Sequence, residues 1–249
     1  MLYIGTSGWQ YRDWRGRFYP DGLPTPDWLA SYATRFPVVE VNSTFYNLPA
    51  PSTVERWADQ TAPDFRFAVK LSRYLTHIRR LRDPAEPVSR FFERLRGLGP
   101  KLGPVLLQLP PTLKADVGLL DEALSVMPAR ARVAVEVRHP SWFNADVRDV
   151  LTNHGAALCA ADRRGRVQGP LWTSADWGYV RLHEGTARPK PCYGDAALDH
   201  WLRRIVDGWG QQDVFVFFNN DQLGCAPANA ARLAQLARKA GLPIAEPTY

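Results

Sequence analysis

Eight times along this chain a short apolar run ends in polar or charged residues, and most of these runs are followed by a helix-like stretch. The runs are Leu2–Ser7, Val38–Asn42, Phe65–Lys70, Val105–Gln108, Val133–Arg138, Ala156–Asp162, Tyr179–His183 and Val214–Asn220. Eight strand-plus-helix units in 249 residues is the pattern of an α/β protein with a TIM-like (β/α)8 barrel and a parallel, eight-stranded sheet. One domain spanning residues 1–249 is expected, because no linker, repeat or low-complexity segment interrupts the alternation. Barrels of this kind carry their chemistry at the C-terminal ends of the strands, where the polar residues fall here.

Helices are expected over Pro26–Arg35, Ser52–Gln60, Pro87–Arg96, Val117–Met127, Ala145–His154, Ala196–Trp209 and Pro227–Ala240. The sixth unit is reduced: between Asp162 and Tyr179 there is room for only a turn or a short helix. Two connections on the expected catalytic face are long, Gly8 to Pro24 and Leu71 to Pro84. The first contains Trp9, Tyr11, Trp14, Phe18 and Tyr19, too aromatic a set for a disordered segment.

Residues i and i+2 of a strand point the same way. Glu40 and Asn42 therefore share a face, as do Glu136 with Arg138 and Arg181 with His183. The intervening Val41, Val137 and Leu182 suit the helix side, so the polar set should face the barrel mouth. Lys70, Gln108, Asp162 and Asn219 end four more strands, with Asn220 and Asp221 following. Tyr46, His77, His139 and Trp142 lie in loops at the same end and complete the expected binding set.

Two carboxylates facing one mouth, Glu40 and Glu136, are candidates for a general acid and a general base. Lys70, Arg138 and Arg181 would hold an anionic group, Asn42, His183, Asn219 and Asn220 would orient the substrate, and Gln108 belongs to the wider binding set. The competing expectation is a charge-paired plug, since buried charges need partners. Lys70 is expected to pair with Glu40 rather than to act as a Schiff-base amine. Glu40, Glu136, Asp162, Asp221, His139 and His183 supply oxygen and nitrogen donors for a divalent metal. The local spacing lacks a metal signature, and nearby Lys and Arg repel cations, so no cofactor or metal is expected.

The formal net charge of +6 permits a phosphate or nucleic-acid partner without identifying one. Arg73, His77, Arg79, Arg80 and Arg82 cluster after the third strand, and Trp9, Trp14, Tyr46 and Trp142 offer rings for stacking. Nucleic acid is therefore the alternative partner to a small polar or anionic ligand. The three cysteines argue against a disulfide framework and for a reducing compartment. With a first strand at Leu2 leaving no room for a signal peptide, and no apolar run long enough for a membrane span, a cytoplasmic protein without a membrane partner is expected.

The chain also resembles a known family. Its IGTSGW at Ile4–Trp9, FYP at Phe18–Pro20, VEVNSTFYNLP at Val39–Pro49, FAVK at Phe67–Lys70 and TH at Thr76–His77 match the YecE-like family, domain of unknown function 72. QLPP at Gln108–Pro111, AVEVRHPSW at Ala134–Trp142, YVRLH at Tyr179–His183 and FFNND at Phe217–Asp221 continue the match in order. The resemblance implies a TIM-like barrel and no established activity. Glu184 stands before Gly185 where the family tends to place glycine directly after Leu-His, which adds a carboxylate at the mouth. Similar barrels include sugar isomerases and apurinic-site endonucleases, an analogy of fold alone. The expectation is an enzyme working by acid/base chemistry on a polar substrate, against two alternatives: a nucleic-acid-binding repair-like protein and a non-catalytic ligand-binding barrel.

Overall fold

The computed structural model describes residues 1–248. Its centre is one curled sheet of ten strands: β1 Leu2–Ser7, β2 Val38–Val41, β3 Arg66–Lys70, β4 Leu102–Gln108, β5 Val133–Glu136, β6 Ala157–Leu158, β7 Ala160–Arg163, β8 Arg166–Gln168, β9 Trp177–Leu182 and β10 Asp213–Phe218. The order across the sheet is β6-β5-β4-β3-β2-β1-β10-β9-β7-β8. All pairings are parallel except the β7–β8 hairpin.

Two features separate ten strands from the expected eight. The sixth run is divided at Cys159, whose amide bonds to the Val135 carbonyl at 2.9 Å. Its halves pair in opposite directions across the sheet, β6 with β5 and β7 with β9. The reduced sixth unit then folds as a hairpin through β8 and contains no helix, since Gly165 and Arg164 both take positive φ and turn the chain back.

The helices are α1 Trp28–Ala33, α2 Ser43–Tyr46, α3 Pro51–Asp59, α4 Ala85–Leu95, α5 Val117–Ser125, α6 Ala145–Asn153, α7 Asp195–Trp209 and α8 Cys225–Lys239. Seven fall on the expected segments within a few residues, and α2 is additional. Asp116 caps α5 by accepting from the Leu119 amide at 3.1 Å, and Asn144 caps α6 through Val147 at 3.0 Å. Such caps contribute about 1 kcal/mol each.

The apolar residues divide into two sets. Val39, Val41, Val69, Leu107, Val135 and Val180 pack outward against the helices. Val38, Ala68, Leu106, Ala134, Tyr179, Phe215 and Phe217 form a second cluster inside the curl. Since side chains alternate along a strand, this inner cluster carries Glu40, Lys70, Gln108, Glu136, Arg181 and Asn219 on the same side, two residues further toward the strand ends.

Cys192 and Cys225 form a disulfide, which corrects the reading of an unbridged chain. An odd count does not prevent one pair. The loop after β9 and the start of α8 meet at the mouth and bring the two thiols together, and with this bridge the cysteine count no longer argues for a reducing compartment. Among the described residues no helix is long and apolar enough to cross a membrane.

Candidate functional site

Inside the mouth the Arg181 guanidinium joins two carboxylates. Its Nη2 donates to Glu40 Oε1 at 2.7 Å and its Nη1 to Glu136 Oε2 at 2.6 Å. The Tyr179 hydroxyl donates to the other Glu40 oxygen at 2.6 Å. Glu136 Oε1 accepts from Gln108 Nε2 at 2.8 Å and from Arg138 Nε at 3.1 Å. Glu40, Glu136 and Arg181 are 0%, 3% and 1% exposed. Burial opposes ionisation of both carboxylates, but the Arg181 charge together with the hydrogen bonds they accept outweighs it and holds each below the ordinary range.

This arrangement changes the expected roles. An acid or base must exchange a proton near working pH, and Glu40 is an enclosed, ionised carboxylate with both oxygens occupied. It behaves as part of the plug. Glu136 is equally clamped, yet it borders a cavity of about 370 Å3 together with Arg138, Arg163, Gln168 and His183.

Lys70 departs from expectation in the other direction. Among the described residues it makes no ion pair, because Arg181 and Tyr179 already occupy Glu40. Its Nζ instead lies 4.0 Å from the centroid of the Phe45 ring. Burial, reinforced by the Arg181 charge, pushes the amine down to about 8. The His77 ring sits edge-on to Phe45, 4.9 Å between centroids. Burial and the Lys70 charge push His77 down to about 4, so it is neutral at pH 7. A π-helical turn over Tyr74–Ile78 presents it.

His183 Nδ1 accepts from Asn219 Nδ2 at 2.9 Å. Its Nε2 stands 3.7 Å from Glu136 Oε1, too far for a hydrogen bond. Burial lowers its affinity for a proton. His183, Asn219, Asn220, Asp221 and Lys190 line a second cavity, about 340 Å3. There the Asp221 carboxyl is pushed up to about 7 by burial, with the Glu40 and Asp13 charges adding. The Tyr11 hydroxyl gives its proton to the Ser7 carbonyl at 2.6 Å, leaving Asp221 Oδ1 without a partner. Ser7 Oγ, Asn42 Oδ1 and His183 Nε2 are also buried and unpartnered.

Several expected site residues lie elsewhere. Asp162 accepts from Tyr193 at 2.7 Å and from Trp201 of α7 at 3.3 Å, on the helix side. The register explains it: Ala161 pairs with Arg181 and Asp162 with Leu182, so Asp162 shares the outward face of Leu182. Arg163 therefore faces the mouth, a residue missed because the sixth strand was ended one position early. His139 caps the 3-10 turn Pro140–Trp142 by accepting from the Ser141 amide, and Trp142 is core, its indole donating to the Leu113 carbonyl at 2.8 Å. Asn220 donates to the Pro191 carbonyl and to Asn229. Trp9 and Trp14 are also buried. Of the four rings proposed for stacking only Tyr46, 64% exposed, faces solvent. Tyr179 was missed, although it lies two residues before Arg181 on the same face.

The proposed metal donors do not converge. Glu40, Glu136 and Asp162 bond to protein partners, and among the described residues no three His, Cys, Asp or Glu side chains gather to hold an ion. A larger groove of about 920 Å3 lies between α3 and α4, lined by Glu55, Glu86, Arg90 and Glu93 among others. It contains none of the strand-end polar residues.

These features define a parallel-sheet α/β protein whose strand ends converge on a buried Glu–Arg–Glu cluster flanked by two polar cavities. Residues 3–248 match the family described as a protein of unknown function, DUF72, and the chain belongs to that family. It is 35% identical to the UPF0759 protein YecE of Escherichia coli (strain K12) over 156 residues, 62% of this chain and 55% of that protein. The match thus spans little more than half of the relative's length. The UPF0759 protein YunF of Bacillus subtilis is 27% identical over 95% of this chain and 94% of its own. A DUF72 family crystal structure from Thermotoga maritima superposes with a TM-score of 0.85 at 28% identity, covering 96% of this chain and 99% of that one. One from Enterococcus faecalis gives 0.80 at 18% identity over 100% and 98%, which shows the shared fold.

Proposed function

We propose that this chain is an enzyme acting by acid/base chemistry on a small polar substrate with an anionic group, bound at the mouth of a (β/α)8 barrel that closes through Cys159. The observation that carries this reading is the cavity of about 370 Å3 where Arg138 and Arg163 meet Glu136, Gln168 and His183. Its size suits a small metabolite, and guanidinium groups beside a polar wall suit phosphate or carboxylate. Asp221 takes the acid/base role first given to Glu40, because a carboxyl that titrates near 7 can both give and take a proton at working pH. Glu40 and Arg181 keep Glu136 in place.

The test is thermal denaturation with inorganic phosphate and a panel of sugar phosphates, using the wild type and Arg163→Gln. A ligand bound at one hundred times its Kd adds about 2.7 kcal/mol, so the melting temperature should rise in the wild type and not in the variant. Absence of a shift with every anion would remove the reading. Turnover of a stabilising ligand separates an enzyme from a non-catalytic binding barrel. The nucleic-acid alternative has lost three of its four stacking rings to the core.

A further inference from the structure

We infer that the Lys70 ε-amine is a nucleophile toward the carbonyl carbon of an aldehyde or keto acid, with the Phe45 ring beside it and no carboxylate paired to it. This deepens the proposed function and rests on its reading of the mouth as a site for anionic substrates.

The argument begins with the absence of an ion pair. A lysine at a strand end beside two glutamates ordinarily pairs with one, and pairing keeps an amine protonated and inert. Here both glutamates are saturated from elsewhere: Tyr179 and Arg181 occupy Glu40, while Arg181, Gln108 and Arg138 occupy Glu136. Lys70 is left with the face of Phe45 at 4.0 Å. Its backbone is fixed, since the Thr44 hydroxyl donates to the Lys70 carbonyl at 2.7 Å, and Thr44 and Phe45 belong to the same short helix. The backbone of Lys70 is therefore anchored beside Phe45, with its side chain on the inner face of the sheet two residues beyond Ala68.

The charges acting on the amine come from all the packed elements: Arg181 of β9 and Arg138 beyond β5 oppose protonation, Glu40 of β2 and Glu136 of β5 favour it, and burial adds to the first pair. The balance puts the amine at about 8 rather than 10.5. At pH 7 that raises its neutral fraction by roughly two orders of magnitude, which is what a Schiff-base amine requires. His77, edge-on to Phe45 with Nδ1 bonded to Thr76 at 2.9 Å, is neutral at pH 7 and adds no positive charge beside the amine.

In the step itself the neutral amine adds to the carbonyl carbon, forming the C–N bond as the C=O π pair moves to oxygen. That oxygen gains a proton, and nitrogen loses one, giving a carbinolamine. A further proton on the hydroxyl lets it depart as water, and the nitrogen lone pair closes the protonated C=N bond. No oxidant or reductant is consumed. The anionic end of the substrate would lie toward Arg138 and Arg163, which border the neighbouring cavity.

The experiment is reductive trapping on the full chain with glyoxylate and sodium cyanoborohydride, followed by peptide mapping of its five lysines. Exposed Lys114, Lys190 and Lys239 are internal references. Lys70 should be carboxymethylated at least about tenfold faster than these, with a rate that titrates near 8, and Lys70→Arg should lose only the fast site. Labelling of Lys70 no faster than Lys114 overturns the inference, a result read on wild-type protein whether or not a variant folds. Glyceraldehyde, which is uncharged, is the second probe: fast labelling by both aldehydes keeps Lys70 as the nucleophile but rejects the anionic requirement. The phosphate melting experiment reads the anion site without Lys70 chemistry, so the two ideas fail separately.

Discussion

Arg181 Nη2 meets Glu40 Oε1 at 2.7 Å between β9 and β2, and neither side chain retains meaningful contact with solvent. Breaking a buried pair by removing one partner typically costs about 3–5 kcal/mol, because the other charge is left unpaired. Arg181→Met should therefore destabilise the fold by at least that much in urea denaturation. Glu40→Gln should lower the urea midpoint while leaving phosphate binding within about twofold of wild type. An equal loss of binding would return Glu40 to the substrate site.

The same pair predicts a response to acid. Glu40 and Glu136 have folded values below the ordinary 4.5. Their contribution is present in full above that ordinary value and is lost as pH falls through the folded values. Wild-type stability should thus drop steeply below about pH 4.5, and Glu40→Gln should drop less steeply. Parallel curves for the two proteins would contradict the pairing.

Asp221 has the opposite sign. Its folded value of about 7 lies above the ordinary 3.8, so its stabilising contribution is complete below pH 3.8 and is lost as pH rises through 7. Asp221→Asn should then be the more stable protein at pH 8, by about 2–4 kcal/mol, with the advantage shrinking toward pH 4. Such a gain has a functional reading, since a carboxyl kept where it costs stability is commonly one that chemistry requires. The variant should also lose any turnover found for the wild type.

Cys192 and Cys225 are 33 positions apart. Closing a loop of that length restricts the unfolded chain by about 3–4 kcal/mol in the entropy model. Denaturation with and without dithiothreitol should differ by roughly that amount, and Cys192→Ser should match the reduced wild type. The bridge ties the loop after β9 to α8, so Asp221 and the neighbouring cavity should loosen with it, read as faster amide exchange near Asn219–Asp221.

Two glycines mark places where strands meet other groups too closely for a side chain. A Cβ on Gly5 would stand 2.1 Å from the Val38 carbonyl oxygen, and one on Gly178 would stand 2.6 Å from the Trp209 indole. Gly178→Ala should cost about 1–3 kcal/mol as the ring shifts. Gly5→Ala should cost more, because a backbone carbonyl inside a sheet cannot give way. Soluble yield and urea midpoints read both.

Much of the mouth was legible from spacing. Glu136 with Arg138 and Arg181 with His183 meet around one carboxylate as the two-residue period requires, and the inner apolar cluster runs beneath them, whereas Asn42 has already left β2 for the start of α2. Where reading failed, the cause was local. Ending the sixth strand at Asp162 instead of Arg163 exchanged an outward residue for an inward one, since a shift of one position reverses every side chain. Trp142 and His139 were grouped with the site by their loop positions, but a loop's side chains follow no period: Trp142 turned into the core to bond Leu113, and His139 caps its own turn.

The chain by itself determined the strands, the helices that separate them and the end at which polar groups collect, because these follow from side-chain direction along a few consecutive residues. Only the tertiary structure decided which charges meet. Glu40 and Arg181 are 141 positions apart, and no local pattern states that one guanidinium satisfies both glutamates. That single pairing leaves Lys70 without a carboxylate. Reactivity here is a matter of which groups are left over once burial has forced the others to pair, and such a remainder exists only when the strands have come together.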